Sequence, residues 1–485
     1  MTTAQKAEFK AANIILGQIL KSIDKDPQKS ILKAIGFAEK YLGNTFPQHY
    51  IDSTKKAVEA GDGVYYTMAM NILKDVDRDM LKKLLLAMGL GAGINGTKEV
   101  RANREKYGCN VPFLLLMDPT SACNLRCKGC WSAEYGHKDN LTYEEMRSVV
   151  EQGRELGTHL YMYTGGEPLM RKHDLIKICE EFPDCIFLAY TNGTLIDQAY
   201  CEDVKRVGNI SFALSIEGTE ETTDERRGEN VYKKVIAAME LLKKNGILFG
   251  MSVCYTSANV ETVTSDEFMD KMVDMGVKFG LYFNFMPIGH NAPVELIPTP
   301  AQREHMYKWV RKTRNNVTGK PLFIMDFQSD GEYVGGCIAG GRNYFHINSA
   351  GDMEPCVFIH FSDSNIRKNT LLEGLQNPLF MAFRHDQPFN DNHLRPCPML
   401  ENPDCLRGIV KRTGAKSTNL MAEETAEQLC SKCDKFAKDW APKAEELWAS
   451  YKHPNPKTQY YRDTPEGIAE FAAKIKAEAE DGVKA

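Results

Sequence analysis

The sequence predicts an α/β fold: a partial (β/α)6 TIM-like barrel, preceded by a helical N-terminal domain and followed by a Cys-rich C-terminal extension. Three observations carry this. Six short apolar runs recur from residue 111, namely VPFLLLMD, HLYMYT, CIFLAYT, ISFALSIE, LFGMSVCYT and FGLYFNFMPIG. Amphipathic stretches such as TYEEMRSVVEQGRELG and NVYKKVIAAMELLKKNG lie between them. Continuous apolar strands alternating with helices form a parallel sheet covered on its outer face, and active groups of such barrels sit at the C-terminal strand ends. Finally, residues 320–440 are rich in Gly, Pro, Asn and Cys with little periodicity, so something besides a large core must hold them.

Ahead of the barrel, Ile14, Ile15, Ile19, Leu20 and Ile23 recur at helical spacing. Asp26-Pro27 reads as an N-cap and first helical position, with Gly43 ending that helix, and further helical runs fall around 53–60 and 65–88. Gly91-Ala92-Gly93-Ile94-Asn95-Gly96 spells a dinucleotide fingerprint but follows a helical run, not the strand its mechanism needs, and is rejected. After the barrel, PAQREHMYKWVRKTRN and KDWAPKAEELWASY read as helices. The breaks place the helical domain over 1–105, the barrel over 106–298, the Cys-rich region over 299–440, and a terminal helix with a charged tail over 441–485.

With a net charge of −5 and no basic stripe interleaved with aromatics, nucleic acid is not an expected partner. The N-terminus MTTAQKAEFK lacks a signal-peptide pattern, and the most apolar stretch, Leu84–Ile94, is about half the length of a membrane span. A cytoplasmic location is expected. Fourteen cysteines in a reducing compartment point to metal ligation rather than disulfides. Cys109, Cys179, Cys185, Cys201 and Cys254 stand singly in apolar or helical surroundings and read as small buried hydrophobes.

Cys123-Asn-Leu-Arg-Cys127-Lys-Gly-Cys130 directly follows the first barrel strand. Structural zinc sites and ordinary iron–sulfur clusters take four closed ligands, whereas three leave one metal position open. This C-x3-C-x2-C loop resembles the hallmark of the radical S-adenosylmethionine (SAM) superfamily, and the resemblance runs from about residue 111 to 290. It implies a 4Fe–4S cluster on Cys123, Cys127 and Cys130 whose open iron binds SAM. It also implies reductive cleavage to a 5′-deoxyadenosyl radical and hydrogen abstraction from an unactivated C–H bond. Most members place an aromatic before the third cysteine; here Gly129 stands there and Trp131 follows. Thr164-Gly165-Gly166-Glu167-Pro168 looks like the family's GGEP motif, with Glu167 able to accept from an ammonium group. Asn192, in Thr191-Asn192-Gly193, is similar to a SAM-facing TNG turn, a plain Asn-Gly turn being the competing reading. Ser215 and Glu217, on one face by alternation, resemble a ribose-contacting pair. Arg227, in a D-x-x-R-G stretch, either clamps a carboxylate or caps a helix, and His290 and Tyr282 are substrate-facing candidates.

Cys337 is followed by thirteen residues, Gly351, four residues and Cys356, with GDMEPC reading as a tight hairpin. This resembles the SPASM/twitch extension that carries auxiliary 4Fe–4S clusters. The resemblance makes Cys337 and Cys356 expected ligands, the chelating spacing of Cys430-Ser-Lys-Cys433 ranks that pair with them, and Cys397, in RPCP, comes next, with Cys405 last. The expected C-x2-C-x5-C-x3-C run is absent, and six cysteines are too few for two fully ligated clusters. Zinc remains an alternative occupant of this region.

The resemblance implies an anaerobic oxidoreductase served by a flavodoxin- or ferredoxin-type reductant, with a peptide or protein as substrate. One alternative is chemistry on a lipid or other hydrophobic small molecule, because Met80–Ile94 can rest on a membrane surface as readily as form a core helix. A non-catalytic electron carrier is the other, although it leaves the GGEP and ribose-type motifs unexplained.

Overall fold

The computed structural model describes residues 3–23, 25–42, 48–315 and 317–450; Gly43 and the charged tail after Ser450 lie outside them. Six parallel strands form in chain order: β1 (Leu114–Met117), β2 (Leu160–Tyr163), β3 (Ile186–Thr191), β4 (Ile210–Ser215), β5 (Phe249–Tyr255) and β6 (Phe279–Asn284). Alternation sorts their side chains. Leu115 and Met117 join the outer core beneath the helices, whereas Leu114 and Leu116 point into the barrel. The helix Tyr143–Leu156 between β1 and β2 opens on a Thr142/Glu145 capping box and stops at Gly157, in left-handed backbone.

The sheet is wider than the six runs predict. β7 (Phe323–Asp326) pairs parallel to β6, and β8 (Tyr344–Ile347) pairs parallel to β1 on the opposite edge. The order is β7-β6-β5-β4-β3-β2-β1-β8-β9, the last strand, β9 (Met353–Glu354), being antiparallel to β8. GDMEPC is the hairpin expected: Gly351 donates to the Asn348 carbonyl at 2.9 Å with φ of 87°. The Cys-rich region therefore shares the barrel's own sheet. A two-stranded pair, β10 (Phe361–Ser362) and β11 (Lys416–Ser417), and helices Pro378–Asp386, Pro403–Thr413 and Ala426–Ser450 complete it.

The N-terminal helices lie under the barrel, at the N-terminal strand ends. Asp26 caps the helix that begins at Pro27, its Oδ1 accepting from the Lys29 amide at 3.0 Å. Asp77 N donates to the Gly246 carbonyl at 2.7 Å, Lys83 reaches the Arg206 carbonyl at 2.6 Å, and Lys278 pairs with Asp75 at 2.5 Å. In the Met80–Ile94 run, Met80, Leu81, Leu84, Leu86, Ala87 and Ala92 are buried, so one face of this run packs into the core, while Leu85 and Met88 are exposed. No helix of the described residues is long and apolar enough to cross a membrane. GAGING ends a π-helical stretch, Ala87–Gly96. A Cβ on Gly91 would collide with the Asp184 carbonyl, and one on Gly96 would lie 2.6 Å from the Gly157 carbonyl. These glycines serve close packing onto the barrel floor. Gly91→Ala is expected to cost about 1–3 kcal/mol in thermal or urea unfolding. Gly89→Ala, where a Cβ meets nothing within 4 Å, should be neutral or slightly stabilising; equal losses at both positions would contradict this packing role.

Candidate functional site

A cavity of about 190 Å³ opens at the C-terminal ends of the barrel strands. Cys123, Cys127 and Cys130 line it together with Trp131, Gly165, Gly166, Glu167, Asn192, Ser215 and Arg227. Residues far apart in sequence converge because the loops after β1, β2 and β3 are knitted together. Gly166 and Glu167 amides donate to the Thr120 and Ala122 carbonyls at 2.9 and 2.8 Å. A Cβ on Gly166 would strike Ala122, so the glycine pair lets the GGEP turn lie against the cysteine loop's own backbone. Asn192 Nδ2 donates to Asn124 Oδ1 at 2.9 Å while its Oδ1 accepts from the Thr194 amide at 3.0 Å. Asn192 is thus an Asn-Gly turn residue and also an anchor of the cysteine loop.

Glu167 is buried, and its oxygens accept from Thr191 Oγ1 (2.6 Å), the Asn192 amide (2.8 Å) and the Leu169 amide (3.0 Å). Burial pushes its carboxyl up to about 6 despite these donors. Burial likewise lifts the Cys123 thiol to about 11 and raises that of Cys130. A metal centre bound here would stabilise the thiolates, their protons being released to solvent and its positive charge offsetting the desolvation. Among the described residues no three His, Cys, Asp or Glu side chains close on a point that fits a single metal ion. The three thiols rim one chamber.

Glu217 does not line the cavity. β4 ends at Ser215, and beyond it alternation lapses: the Glu217 amide turns to Thr223 Oγ1 at 3.1 Å. Its buried carboxylate takes Arg226 at 2.5 Å and Arg227 Nε at 2.8 Å. Both arginines line the chamber, so Glu217 positions the groups that face it. Tyr282 is also elsewhere, its hydroxyl donating to the Val263 carbonyl at 2.9 Å within the outer core. His290 lies outside the chamber, its Nε2 2.8 Å from the Glu423 carbonyl.

Sequence reasoning missed three contributors. Cys254 lines the chamber from β5. Phe285 fills the space beside Gly129, where a Cβ would lie 2.6 Å from its ring, so an aromatic from the β6 end stands where the cysteine loop lacks one. His346 on β8 is fully buried, its Nδ1 2.7 Å from Glu354 and its Nε2 2.9 Å from Asp118, and Trp131 stands edge-on to it at 6.0 Å.

Burial alone would strip the His346 proton, but the two carboxylates override this and lift its pKa to about 10. Glu354, which also accepts from Tyr135 (2.6 Å) and Asn348 (3.0 Å), is the ionised partner; burial pushes Asp118 up. A folded-state pKa raised from 6.5 to about 10 stabilises fully below pH 6.5 and is lost as pH rises toward 10. Urea midpoints should fall across that window. His346→Gln should lower stability by about 3–5 kcal/mol and flatten the slope; an unchanged slope in the variant would assign it elsewhere.

A second cavity, of about 100 Å³, is lined by Cys337, Cys356 and Cys397. Burial pushes Cys337 to about 12 and Cys356 to about 11 and raises Cys397 well above its usual value. Cys430 and Cys433 do not line it. They sit one helical turn apart on Ala426–Ser450, buried against Leu429, Phe436 and Trp440. The C-x2-C spacing puts both side chains on the same buried face of that helix. Cys405 is also absent from this lining.

Residues 117–280 match the family model for the Radical SAM superfamily. The barrel is thus a radical SAM domain. This radical SAM enzyme therefore uses a 4Fe–4S cluster and SAM. The AdoMet-dependent heme synthase of Methanosarcina barkeri is 24% identical over 344 residues, 65% of this chain and 96% of that protein. Mycofactocin maturase MftC of Mycobacterium ulcerans is 27% identical over 303 residues, 58% of this chain and 79% of that one. In fold, the chain resembles Streptococcus suis SuiB bound to S-adenosylmethionine, with a TM-score of 0.53 and 19% identity over 70% of this chain and 81% of that chain. The structure of SuiB bound to precursor peptide SuiA gives 0.52, at 70% and 79% coverage.

Proposed function

We propose that this radical SAM enzyme abstracts hydrogen from an unactivated C–H bond of a peptide or protein side chain held in the barrel chamber. The observation that carries the reading is the convergence of Cys123, Cys127 and Cys130 with Glu167, Ser215 and Arg227 on one cavity. When bound there, the cluster supplies the electron that splits SAM into methionine and a 5′-deoxyadenosyl radical. The chain's own residues hold and aim the reactants. Glu167 suits the methionine ammonium, Arg227 its carboxylate, and Ser215 the ribose. Leu116, Met162, Tyr190, Phe283 and Phe327 line the rest with apolar surface, which excludes water from a radical. Cys337, Cys356 and Cys397 hold one auxiliary 4Fe–4S cluster beside the chamber, in a SPASM-like extension. An anaerobic cytoplasm and a flavodoxin- or ferredoxin-type reductant complete the setting.

MftC is named a maturase and SuiB is bound to a precursor peptide, which supports the peptide reading. The apolar lining favours a second reading, a hydrophobic small molecule, as does a relative named heme synthase that is matched over nearly its full length. Anaerobic incubation with SAM and dithionite should yield 5′-deoxyadenosine; none from cluster-replete protein would refute both readings. Acceleration of that yield by added peptide supports the first, and acceleration by hydrophobic small molecules alone supports the second.

A further inference from the structure

Two chambers share one wall. Met286, Phe327, Tyr344 and Phe358 line both the barrel cavity and the cavity rimmed by Cys337, Cys356 and Cys397. Tyr344 does more than divide them. It opens β8, where pairing with Leu114 of β1 fixes its backbone, and its ring is 2% exposed and edge-on to Phe327 at 6.0 Å. Its hydroxyl lies 2.7 Å from Cys356 Sγ, as donor.

We propose that Tyr344 is a positioning residue between the two sites, its hydroxyl setting the reduction potential of the auxiliary cluster through the Cys356 sulfur. This rests on the reading that Cys337, Cys356 and Cys397 hold that cluster. A hydrogen bond to a ligating sulfur draws electron density from the metal centre and favours the reduced, more negative form, so it raises the potential. The same ring faces the radical chamber, so substrate pressing on it bears directly on that bond. A phenylalanine would serve equally well as a partition; the hydroxyl is what the wall does not need.

The test is a redox titration of both clusters in the anaerobic holoenzyme, followed by electron paramagnetic resonance. Tyr344→Phe keeps the ring and removes the donor. The expected result is a shift of the auxiliary midpoint to lower potential, with the SAM-binding cluster unmoved and iron and sulfide contents equal to wild type. Phe327→Leu, which disturbs the same wall without touching the bond, should leave the midpoint in place. An unmoved auxiliary midpoint in Tyr344→Phe, or an equal shift in Phe327→Leu, overturns the proposal. Failure of the underlying reading looks different: wild-type protein would hold about four irons per chain instead of about eight.

Discussion

Replacing Cys123, Cys127 and Cys130 together by alanine is expected to abolish 5′-deoxyadenosine formation and to remove about four irons per chain. All three thiols rim the barrel chamber, and no other thiol there can restore the set: Cys254 comes from β5, away from the loop that wraps the cluster. Iron and sulfide analysis of reconstituted protein, together with chromatography of the reaction products, reads both effects. The loop is anchored chiefly by backbone and by Asn192, a 3.4 Å bond from the Leu125 amide to Cys123 Sγ being local, so the variant should keep its fold by circular dichroism. A variant that retains cleavage activity would contradict the assignment.

The second large effect is expected at the other thiol triad. Cys337→Ala, Cys356→Ala and Cys397→Ala combined should again lose about four irons, yet still cleave SAM, because the barrel chamber stays intact. Product formation on substrate should be lost. Cys430→Ala with Cys433→Ala should leave the iron content unchanged and cost stability only, since both thiols are buried on a helix among apolar side chains. Iron loss in this pair, with none in the triad, would reverse the ligand assignment.

Much of this was legible in the sequence because its signals are periodic or fixed in spacing. The six apolar runs name β1 through β6, and the cysteine loop, GGEP turn and Asn-Gly turn fall at strand ends where a parallel barrel gathers them. β7 and β8 were not legible, each being four residues in a segment broken by glycines, too short for alternation to register. Glu217 was misread because alternation was carried past the end of β4. Phe285 and Cys254 carry no motif; only the barrel's closure brings them to the chamber. The His346 network joins partners 228 residues apart in the case of Asp118, a pairing no local pattern encodes. For Cys430 and Cys433, the spacing marked the pair but not the helix, Ala426–Ser450, that carries it.

One spectrum bears most directly on the whole account: that of the reduced enzyme, taken anaerobically before and after SAM is added, in protein carrying the Cys337, Cys356 and Cys397 alanine changes so that a single cluster remains. Coordination of SAM at an iron lacking a protein thiolate predicts a clear change in the signal's g-values. A signal identical with and without SAM would contradict it.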